Sequence, residues 1–550
     1  MTMKKIYITI LFLAGIIYSC NDLDEVIYTY TDQNAFVTQD NAIEAVNGIY
    51  QPLHSVSARA IFYLNDMTTD ACFKKEMDTE LLNELKMSDN GDVANSWLGY
   101  YQMVGRANIA IDNIPTIPDE RFVAAKPAKN RLIAEAHFMR AFAYYQLTDL
   151  FYTVPLIVNS KIAVDTKIPP SSIEDIEQQI EYDLLMAKNS LPQDYGTTAD
   201  AGRPTLGATY GMLCRLYMRA AGRTRLNGGD ATAKWQSALH YANEVLTLRD
   251  KGVYSLQPKV WNVFDPSKDE TLYNNEILFA VRSRKDLPNG SSDIGMNFTP
   301  WNYDMGWDLF SVPLELAWKF DKADQRFTEL LVTNFKNVYD EPIYYRIPAS
   351  IEEVGKVYAL NVPSAGERTL ELDAAYTKKY KYLRPGSYNY NTNNNMVILR
   401  LADIILCKAE ILNELNGPSQ DALNLVNNIR ERAFQNTTHN LQLINYTSKE
   451  GLRSAICDER LFELNNEGSR RPDLIRMGLW KNRMDGYIAQ IKTKSEWRKQ
   501  NSTDPNADFS SEWKVYPNDL KENDIRRYFP VPKRESDLNP ALLNCRTFTK

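Results

Sequence analysis

Residues 131–158 constrain the fold of this chain more than any other stretch, because they predict one long helix with an abrupt end. Small and apolar side chains recur there at steps of three and four residues, which is the spacing of one helix face. They are Leu132, Ala136, Met139, Ala143, Leu147 and Leu150. Twenty helical residues form a rod of about 30 Å. Because proline lacks the backbone donor, Pro155 ends the pattern, and residues 154–158 are predicted to be extended.

Similar helical spacing recurs along most of the chain. It predicts helices at 40–50 (with Asp40 as the N-cap), 97–114, 172–191, 204–221, 234–248, 397–415, 419–434 and 449–465. The helices at 204–221 and 234–248, with alanine and tyrosine at facing positions, resemble a tetratricopeptide unit, and so do those at 397–415 and 419–434. The central helix with 172–191, and 449–465 with the segment after it, are further candidate pairs. Since one pair cannot bury its faces alone, we expect about four pairs to stack.

Two segments interrupt this helical pattern. Residues 251–395 are rich in Tyr, Trp, Asn, Pro and Gly, with one strand-like run at 276–281, and residues 60–92 show no sustained period. Irregular segments carried on a regular scaffold often hold functional residues. The predicted fold class is therefore all-α dominated, with a tetratricopeptide-like helix-pair scaffold and an irregular, loop-rich ligand-binding region.

The first twenty residues are interpreted as a targeting segment. Lys4 and Lys5 form a basic start, and the thirteen-residue apolar stretch 6–18 is short for a membrane span but suits a signal peptide. It ends at Ser19 and Cys20, and a small residue before a cysteine resembles a bacterial lipobox. We therefore predict that Cys20 is lipidated and anchors the chain to a membrane. The alternative is an ordinary signal peptide followed by a chance cysteine.

Charge and composition exclude several classes of function. The 63 basic and 70 acidic residues give a net charge of −7, which argues against a nucleic-acid partner, because phosphates require basic surface. The five cysteines after Cys20 are scattered and form no CxxC pair, so neither a disulfide framework nor a zinc site is indicated. The four histidines are dispersed, and no common catalytic motif is present. We expect no catalysis, no cofactor and no metal.

Two charged clusters each permit a second interpretation. Asp458, Glu459, Arg460 and Glu463 fall on one predicted helix. An acid–base pair is conceivable there, but the neighbouring arginines favour a structural ion-pair network. The carboxylates at positions 265, 269 and 270 are compatible with a cation site, although a turn followed by a helix cap is the preferred interpretation.

Aromatic residues make up 11% of the chain, and many of them lie in polar, loop-like stretches. One face of a pyranose presents C–H groups that stack on aromatic rings, while its hydroxyls bond to amides and carboxylates. The candidate ligand-facing residues in the loop 297–307 are Trp301, Asn302, Tyr303 and Trp307. Those in the region 63–100 are Phe73, Trp97 and Tyr100. The run 388–391 is a weaker third candidate, and in each region packing within the protein is the alternative.

Short motifs recur in a fixed order along nearly the whole chain. The N-terminal ones are Cys20 with the acidic patch 21–25, Trp97-x3-Tyr101, Ala107-Asn108, Arg131-x3-Glu135-x2-Phe138-x-Arg140-Ala141 and Val154-Pro155-Leu156. The C-terminal ones are Asn428-Ile429-Arg430-x-Arg432-Ala433, Asp458-Glu459-Arg460-x2-Glu463-Leu464, Glu467-Gly468, Arg470, Asp473-Leu474, Gly478, Tyr528-Phe529-Pro530-Val531-Pro532 and Asn539-Pro540. In this order they resemble the SusD/RagB family of nutrient-binding outer-membrane lipoproteins of Bacteroidetes.

This resemblance implies a lipid-anchored protein in the outer membrane that faces the cell exterior. It also implies a partner, a TonB-dependent SusC-like β-barrel transporter that the lipoprotein caps as a lid. The acidic patch after Cys20 resembles the surface-export signal of such lipoproteins, with a solvated linker as the alternative. Ligands in the family are mostly glycans, and some members capture peptides.

We therefore predict a non-enzymatic, glycan-binding lipoprotein at the cell surface that serves a SusC-like importer. The alternatives are capture of a peptide or glycoconjugate, and a structural subunit of the importer without a ligand of its own. The predicted domains are a signal peptide at 1–19, a lipidated N-terminus and first helix at 20–58, an N-terminal helical region at 59–250, an irregular binding region at 251–395 and a C-terminal helical region at 396–550.

Overall fold

The computed structural model describes most of the helical regions and parts of the irregular one. The described residues are 36–56, 61–67, 69–74, 91–162, 166–196, 200–265, 274–283, 294–298, 310–331, 334–336, 342–344, 347–354, 357–362, 366–371, 375–380, 394–514, 521–522 and 527–545. The predicted signal segment, Cys20, the acidic patch and the run 388–391 lie outside them.

Within these residues, eleven helices of eight or more residues form the scaffold. They are α1 (Gln39–Val56), α2 (Gly91–Asn113), α3 (Lys129–Phe151), α4 (Ile173–Lys188), α5 (Leu206–Leu226), α6 (Thr232–Asp250), α7 (Leu401–Asn416), α8 (Gln420–Phe434), α9 (Lys449–Leu464), α10 (Arg470–Met477) and α11 (Trp480–Gln500). Shorter helices cover Leu64–Asp66, Trp261–Phe264, Ile294–Phe298, Leu314–Ala317, Gln325–Leu330, Ser511–Lys514 and Lys533–Leu538.

The described strands are short and pair two by two, all antiparallel. They are β1 (Phe73–Lys74) with β3 (Phe310–Ser311), β2 (Ile277–Val281) with β8 (Met396–Arg400), β4 (Asn334–Lys336) with β5 (Pro342–Tyr344), and β6 (Val357–Val362) with β7 (Gly366–Glu371). All but β1 belong to the predicted irregular region or its boundary with α7.

Helix α3 lies at the centre of the core, where the sequence predicts the scaffold helix. Every side chain from Ala134 to Phe151 is buried, including those outside the apolar face on which the prediction rests. The reason is that α1, α2 and α4 all pack against it. The helix ends at Tyr152, whose φ of 71° is incompatible with another helical turn. Residues 154–158 then leave the helix, as predicted.

Polar side chains of α3 are buried together with partners on the next helix. Asp183 of α4 accepts two hydrogen bonds from Arg140, at 2.8 and 2.7 Å. The same carboxylate lies 2.7 Å from Nδ1 of His137. Removing one partner of a buried pair leaves an uncompensated charge, so this contact fixes how α3 and α4 pack.

Successive helices pack on one another in chain order, which confirms the predicted stack of helix pairs. The contacts run without a break from α1 to α7, and α7 also packs against α8 and α9. Within α4, α5, α8 and α9, the N-cap side chain accepts a hydrogen bond from the backbone N–H three residues later. They are Ser172, Thr205, Ser419 and Ser448. As the facing tyrosines predicted, Tyr241 of α6 stacks on Tyr210 and Tyr217 of α5, with ring centres 6.1 and 5.8 Å apart.

Two predictions about helix limits are wrong. The stretch 397–415 is not one helix, because its first residues belong to strand β8 and α7 begins at Leu401. A short apolar run suits a buried strand as well as a helix, and here pairing with β2 decides between them. Helix α1 begins at Gln39, so its cap is Thr38 and not Asp40. The N–H of Asn41 donates to Oγ1 of Thr38 at 3.2 Å.

A buried ionic cluster joins the irregular region to the C-terminal helices. Its centre is Arg400, the last residue of β8, which is 1% exposed. Arg400 donates to Glu276 at 2.8 Å, to Glu463 at 2.6 Å and to both carboxylate oxygens of Glu467, at 2.7 and 2.8 Å. Each of these carboxylates is itself buried. The cluster therefore links strands β2 and β8 to helix α9 and the turn that follows it.

The remaining contacts of this cluster confirm the ion-pair network predicted for residues 458–463. Nη1 of Arg326 lies 2.8 Å from Glu459 and 3.2 Å from Glu463. Burial by itself would raise the pKa of Glu463. The adjacent guanidinium groups of Arg432, Arg400 and Arg326 outweigh burial and hold that pKa well below its usual range. Glu463 is therefore a structural anion.

The C-terminal tail returns to the end of α3. The N–H of Phe529 donates to the carbonyl of Leu150 at 2.7 Å, and Nδ2 of Asn539 donates to the carbonyl of Ile168 at 2.8 Å. None of the described helices combines the length and the apolar character needed to cross a membrane. The predicted domain boundaries stay a prediction.

Candidate ligand-binding site

The predicted aromatic loop is bracketed by two described elements. The short helix Ile294–Phe298 precedes it and strand β3 follows it. Trp301, Asn302, Tyr303 and Trp307 lie outside the described residues. The structure therefore defines the candidate site by the two ends of this loop and by the side chains packed around those ends.

Four buried rings pack together where the loop begins and ends. This aromatic base consists of Phe62, Phe298, Phe310 and Tyr380. Phe62 meets the other three edge-on, with ring centres 4.9, 5.6 and 6.1 Å away, and Phe298 stacks on Tyr380 at 5.3 Å. Edge-to-face and offset-stacked pairs of this kind stabilise a fold beyond the area they bury. Both ends of the loop are therefore packed against one core cluster.

Strand pairing brings the two predicted ligand-facing regions together. In the β1–β3 pair, Phe73 lies opposite Ser311 and Lys74 lies opposite Phe310. The backbone that carries Phe73 therefore runs beside the end of the loop that carries Trp307. These regions are more than two hundred residues apart in the chain, so their proximity is a property of the fold that spacing in the sequence does not reveal.

Hydrogen bonds of residues 379 and 380 connect the aromatic base to the ionic cluster. The hydroxyl of Tyr380 donates to the carbonyl of Asn466 at 2.7 Å. Its neighbour Lys379 donates to the carbonyls of Glu463 and Asn465 and, at 2.6 Å, to the carboxylate of Glu467. Burial lowers the pKa of Lys379 even though the carboxylate of Glu467 opposes this shift. Such buried polar contacts tie residues 379–380 to the turn after α9.

Trp97 and Tyr100 occupy positions that favour packing. Trp97 is 4% exposed, and its ring contacts Tyr101 and, edge-on at 5.0 Å, Phe151. Tyr100 is fully buried, and burial raises the pKa of its hydroxyl well above the ordinary value. Neither ring offers a face to solvent, so these positions do not support the prediction that they contact a ligand. Their spacing instead serves the contact of α2 with α3.

The described residues offer no cluster of three His, Cys, Asp or Glu side chains that is suited to a metal ion. Asp265 terminates the short helix Trp261–Phe264, while positions 269 and 270 lie outside the described residues. The expected absence of a metal, a cofactor and catalysis stays a prediction.

Sequence reasoning missed the aromatic base. Phe62, Phe298, Phe310 and Tyr380 come from four separate segments, and no periodicity connects them. A short-range signal existed only for Phe298 and Phe310, which flank the loop already chosen for its rings. The contribution of Tyr380 is visible only once β8 and the turn after α9 are placed.

Two protein-family models match this chain, one in its N-terminal part and one in its C-terminal part. The SusD family model matches residues 313–546, and a model described as starch-binding, associating with outer membrane, matches residues 23–218. The chain belongs to the SusD/RagB family.

Relatives and solved structures extend this match over most of the chain. A SusD-like protein of Formosa agariphila is 26% identical over 505 residues, which cover 87% of this chain and 91% of the relative. A SusD homologue from Bacteroides thetaiotaomicron has the same fold, with a TM-score of 0.71 and 21% identity over 92% of this chain and 97% of that one. A laminarin-binding SusD-like protein aligns with a TM-score of 0.63 and 19% identity, covering 92% of this chain and 98% of the other.

Proposed function

We propose that this protein captures an oligosaccharide or polysaccharide at the cell surface and caps a SusC-like TonB-dependent importer. The observation that carries the proposal is the β1–β3 pair, which places the backbone of Phe73 beside the end of the loop containing Trp301, Tyr303 and Trp307. Rings from both regions, with the amide of Asn302, would supply stacking faces and hydrogen bonds for a pyranose. Capture requires no chemical step, so the protein is proposed to be a binding protein and not an enzyme.

The family supports a saccharide as the ligand. One matched family is described as starch-binding, and one structural neighbour is described as laminarin-binding. These descriptions belong to those proteins, and the sequence of that neighbour differs from this chain at about four positions in five. The loop 297–307 would therefore set which glycan this chain selects, on a fold that the family shares.

The glycan hypothesis predicts that the loop tryptophans control affinity. Calorimetric titration of protein lacking residues 1–20 against plant, microbial and host polysaccharides is expected to give one glycan class, with a Kd between roughly 1 mM and 1 μM. Because each ring supplies a stacking face, the double substitution Trp301→Ala and Trp307→Ala is expected to weaken binding by about tenfold or more. Thermal unfolding of the same variant checks that the fold is retained.

A matched control for this titration is Trp513→Ala. Trp513 is a partly exposed tryptophan on the short helix Ser511–Lys514, outside both predicted regions of the sequence, and its loss is expected to leave Kd unchanged. If the protein binds peptides and no glycan, the hypothesis of saccharide capture is replaced by that of peptide capture. Silence toward both would favour a structural subunit of the importer, and turnover of any oligosaccharide would contradict a binding-only role.

Anchoring by Cys20 predicts a separate, all-or-none effect in cells. Replacing Cys20→Ser removes the acylated thiol, and each buried CH₂ of an acyl chain contributes about 0.8 kcal/mol to membrane binding. We expect the protein to leave the outer-membrane fraction almost completely, as measured by immunoblotting of fractionated cells.

A companion variant separates anchoring from export. Replacing Asp22→Asn, Asp24→Asn and Glu25→Gln together keeps Cys20 but removes the acidic patch. This variant is expected to stay in the outer-membrane fraction, yet to become protected from protease added to intact cells. Retention of the Cys20→Ser protein in the membrane would refute the lipid anchor, and unchanged protease accessibility of the companion would refute the export role of the patch.

A further inference from the structure

A cavity lies at the end of α3, apart from the candidate site, and none of its lining residues belongs to the aromatic base. This cleft of about 490 Å³ is formed by the C-terminal turns of α3 and α5, the start of α4, helix α10 and residues 527–528 of the tail. Its volume falls within the range of small-molecule sites. Three tyrosine rings line it, those of Tyr145, Tyr152 and Tyr528.

Tyr152 has an unusual backbone conformation at this cleft. Its φ of 71° and ψ of −88° lie outside the regions that side chains larger than glycine normally adopt. The ring is half-buried, and its centre lies 4.9 Å from that of Tyr528, with a tilt of 37° between the planes. Strained residues persist where their surroundings hold them, and they cluster at binding sites. A glycine would end α3 at this point without strain, but it would lack the ring.

A buried donor group lies in the wall of the same cleft. The guanidinium of Arg219 stacks over the ring of Tyr145, 4.3 Å from its centre, and donates through Nη1 to Asp149 at 2.9 Å. Within the described residues, Nη2 of Arg219 has no hydrogen-bond partner. Buried donors without partners are rare, because they lose their bonds to water and gain nothing in exchange. Solvent does not reach Nη2 in this structure, so a ligand hydroxyl in the cleft would satisfy this donor once the guanidinium turns toward the cleft.

Most of the positive charges around the cleft are paired with carboxylates. Arg223 pairs with Glu177 through two hydrogen bonds of 2.6 and 2.5 Å, and Arg476 pairs with Glu410 at 2.9 and 2.7 Å. Together with the Arg219–Asp149 pair, three of the four arginines that line the cleft are thus paired with carboxylates. An anionic ligand would gain little there, whereas a neutral ligand rich in hydroxyls would find fixed donors and acceptors.

We propose that the Tyr152–Tyr528 cleft is a second saccharide-binding site, which takes a neutral sugar unit. The inference rests on the proposed function, since it assigns the ligand to the class of molecule that the protein captures. The two tyrosine rings stack on the C–H face of the sugar, Arg219 donates to a hydroxyl, and Asp149 accepts from one. The site lies on the helical scaffold, and none of the described residues that line it belongs to the loop 297–307.

The test uses Tyr152, because its replacement need not damage the fold. Tyr152→Gly removes the ring but suits a positive φ, so relief of backbone strain offsets part of the lost packing and the variant is expected to stay folded, which thermal unfolding checks. Tyr152→Phe keeps the ring and removes only the hydroxyl. Calorimetric titrations with cellohexaose, laminarihexaose, maltohexaose and xylohexaose use protein lacking residues 1–20. For at least one probe, we expect Tyr152→Gly to weaken cleft binding by about tenfold and Tyr152→Phe by less than about twofold.

Tyr182→Ala, at an exposed tyrosine on α4, is the control and is expected to change nothing. The Trp301→Ala and Trp307→Ala protein separates this inference from the proposed function. Residual binding that Tyr152→Gly then abolishes supports the cleft. Loss of all binding in the tryptophan variant, with no effect of Tyr152→Gly in the parent protein, overturns the cleft and leaves loop capture intact. If Tyr152→Gly abolishes binding while the tryptophan variant binds normally, the result supports the cleft as the binding site and overturns the proposed role of the loop. Absence of binding by every probe overturns both.

Charge selectivity gives an independent measurement. Tetra-β-1,4-glucuronate differs from cellotetraose in the carboxylate at each C6, so the two form a matched acidic and neutral pair. We expect the acidic tetramer to bind the cleft no more tightly than the neutral one. Tighter binding of the glucuronate, if it is lost in Tyr152→Gly, would overturn the assignment of a neutral ligand.

Discussion

Replacing Arg400→Ala is expected to destabilise the protein by about 3–5 kcal/mol, the range measured when one partner of a buried ion pair is removed. The substitution would leave Glu276, Glu463 and Glu467 without the guanidinium to which each now hydrogen-bonds. Water does not reach these carboxylates, which are at most 7% exposed, so solvation cannot replace the lost contacts. The damage would spread, because the cluster connects β2 and β8 to α9.

Urea unfolding followed by circular dichroism measures this effect. Lys533→Ala is the matched control, because Lys533 pairs with Asp537 on the surface, where the side chains are 57% and 64% exposed. Exposed pairs contribute little, so the control is expected to stay within about 0.5 kcal/mol of the parent protein. Arg400→Lys keeps the charge but loses the forked geometry, and an intermediate loss is expected. A loss below about 1 kcal/mol for Arg400→Ala would show that the cluster does not support the fold.

Gly468→Ala is expected to destabilise the protein by about 3 kcal/mol, for steric reasons. Gly468 has a φ of +76°, and a Cβ placed there would lie 2.5 Å from the carbonyl oxygen of Ile61. Backbone atoms cannot move aside as a flexible side chain does, so overpacking adds to the cost of the conformation. Asp66 accepts hydrogen bonds from the N–H groups of Gly468 and Arg470, at 2.8 and 3.0 Å. Displacing the turn would leave this buried carboxyl, whose pKa burial raises to about 7, with fewer donors.

Gly252→Ala separates the cost of the backbone conformation from the cost of the steric contact with Ile61. Gly252 has a φ of +81°, but no atom lies within 4 Å of the position that a Cβ would take. It therefore carries only the conformational term, about 1 kcal/mol. The difference between the two variants in thermal or urea unfolding measures the contact with Ile61. Equal losses would show that the close approach between residues 61 and 468 has no role in stability.

The scaffold was largely predictable because its signals are local. The 3.6-residue period of apolar side chains acts within one or two turns of chain, and it predicted most of the helices and their pairing. The predictions failed where contacts with residues distant in the sequence determine the secondary structure. The run 397–400 is apolar enough for a helix, but the presence of β2 makes it a strand. Helix α3 is buried on all sides because helices α1, α2, α4 and α5 all pack against it, and its own sequence does not specify these neighbours.

Predicting the candidate site was harder for the same reason. An aromatic residue in a polar stretch is suited to a ligand or to a core, and the choice depends on what covers it. Trp97 and Tyr100 are covered, because α3 packs over them. The ligand contacts predicted for Phe73, Trp301, Asn302, Tyr303 and Trp307 stay a prediction. The meeting of β1 with β3 comes from long-range pairing, which a single sequence does not reveal.

The β2–β8 pair has a consequence for how such a protein can change its ligand. Residues 282–395 leave the scaffold after Val281 and return at Met396, which are partners in the pairing register. The ionic cluster around Arg400 secures the opposite end of the same strand pair. An inserted segment whose two ends are clamped side by side can double in length for about 0.6 kcal/mol of closure entropy. The strand pair therefore fixes both ends of this segment, while Arg326 and Tyr380 fix internal points of it to α9 and the turn that follows. Loops between these fixed points can change in length, and with them the specificity of the protein, while the helices stay the same.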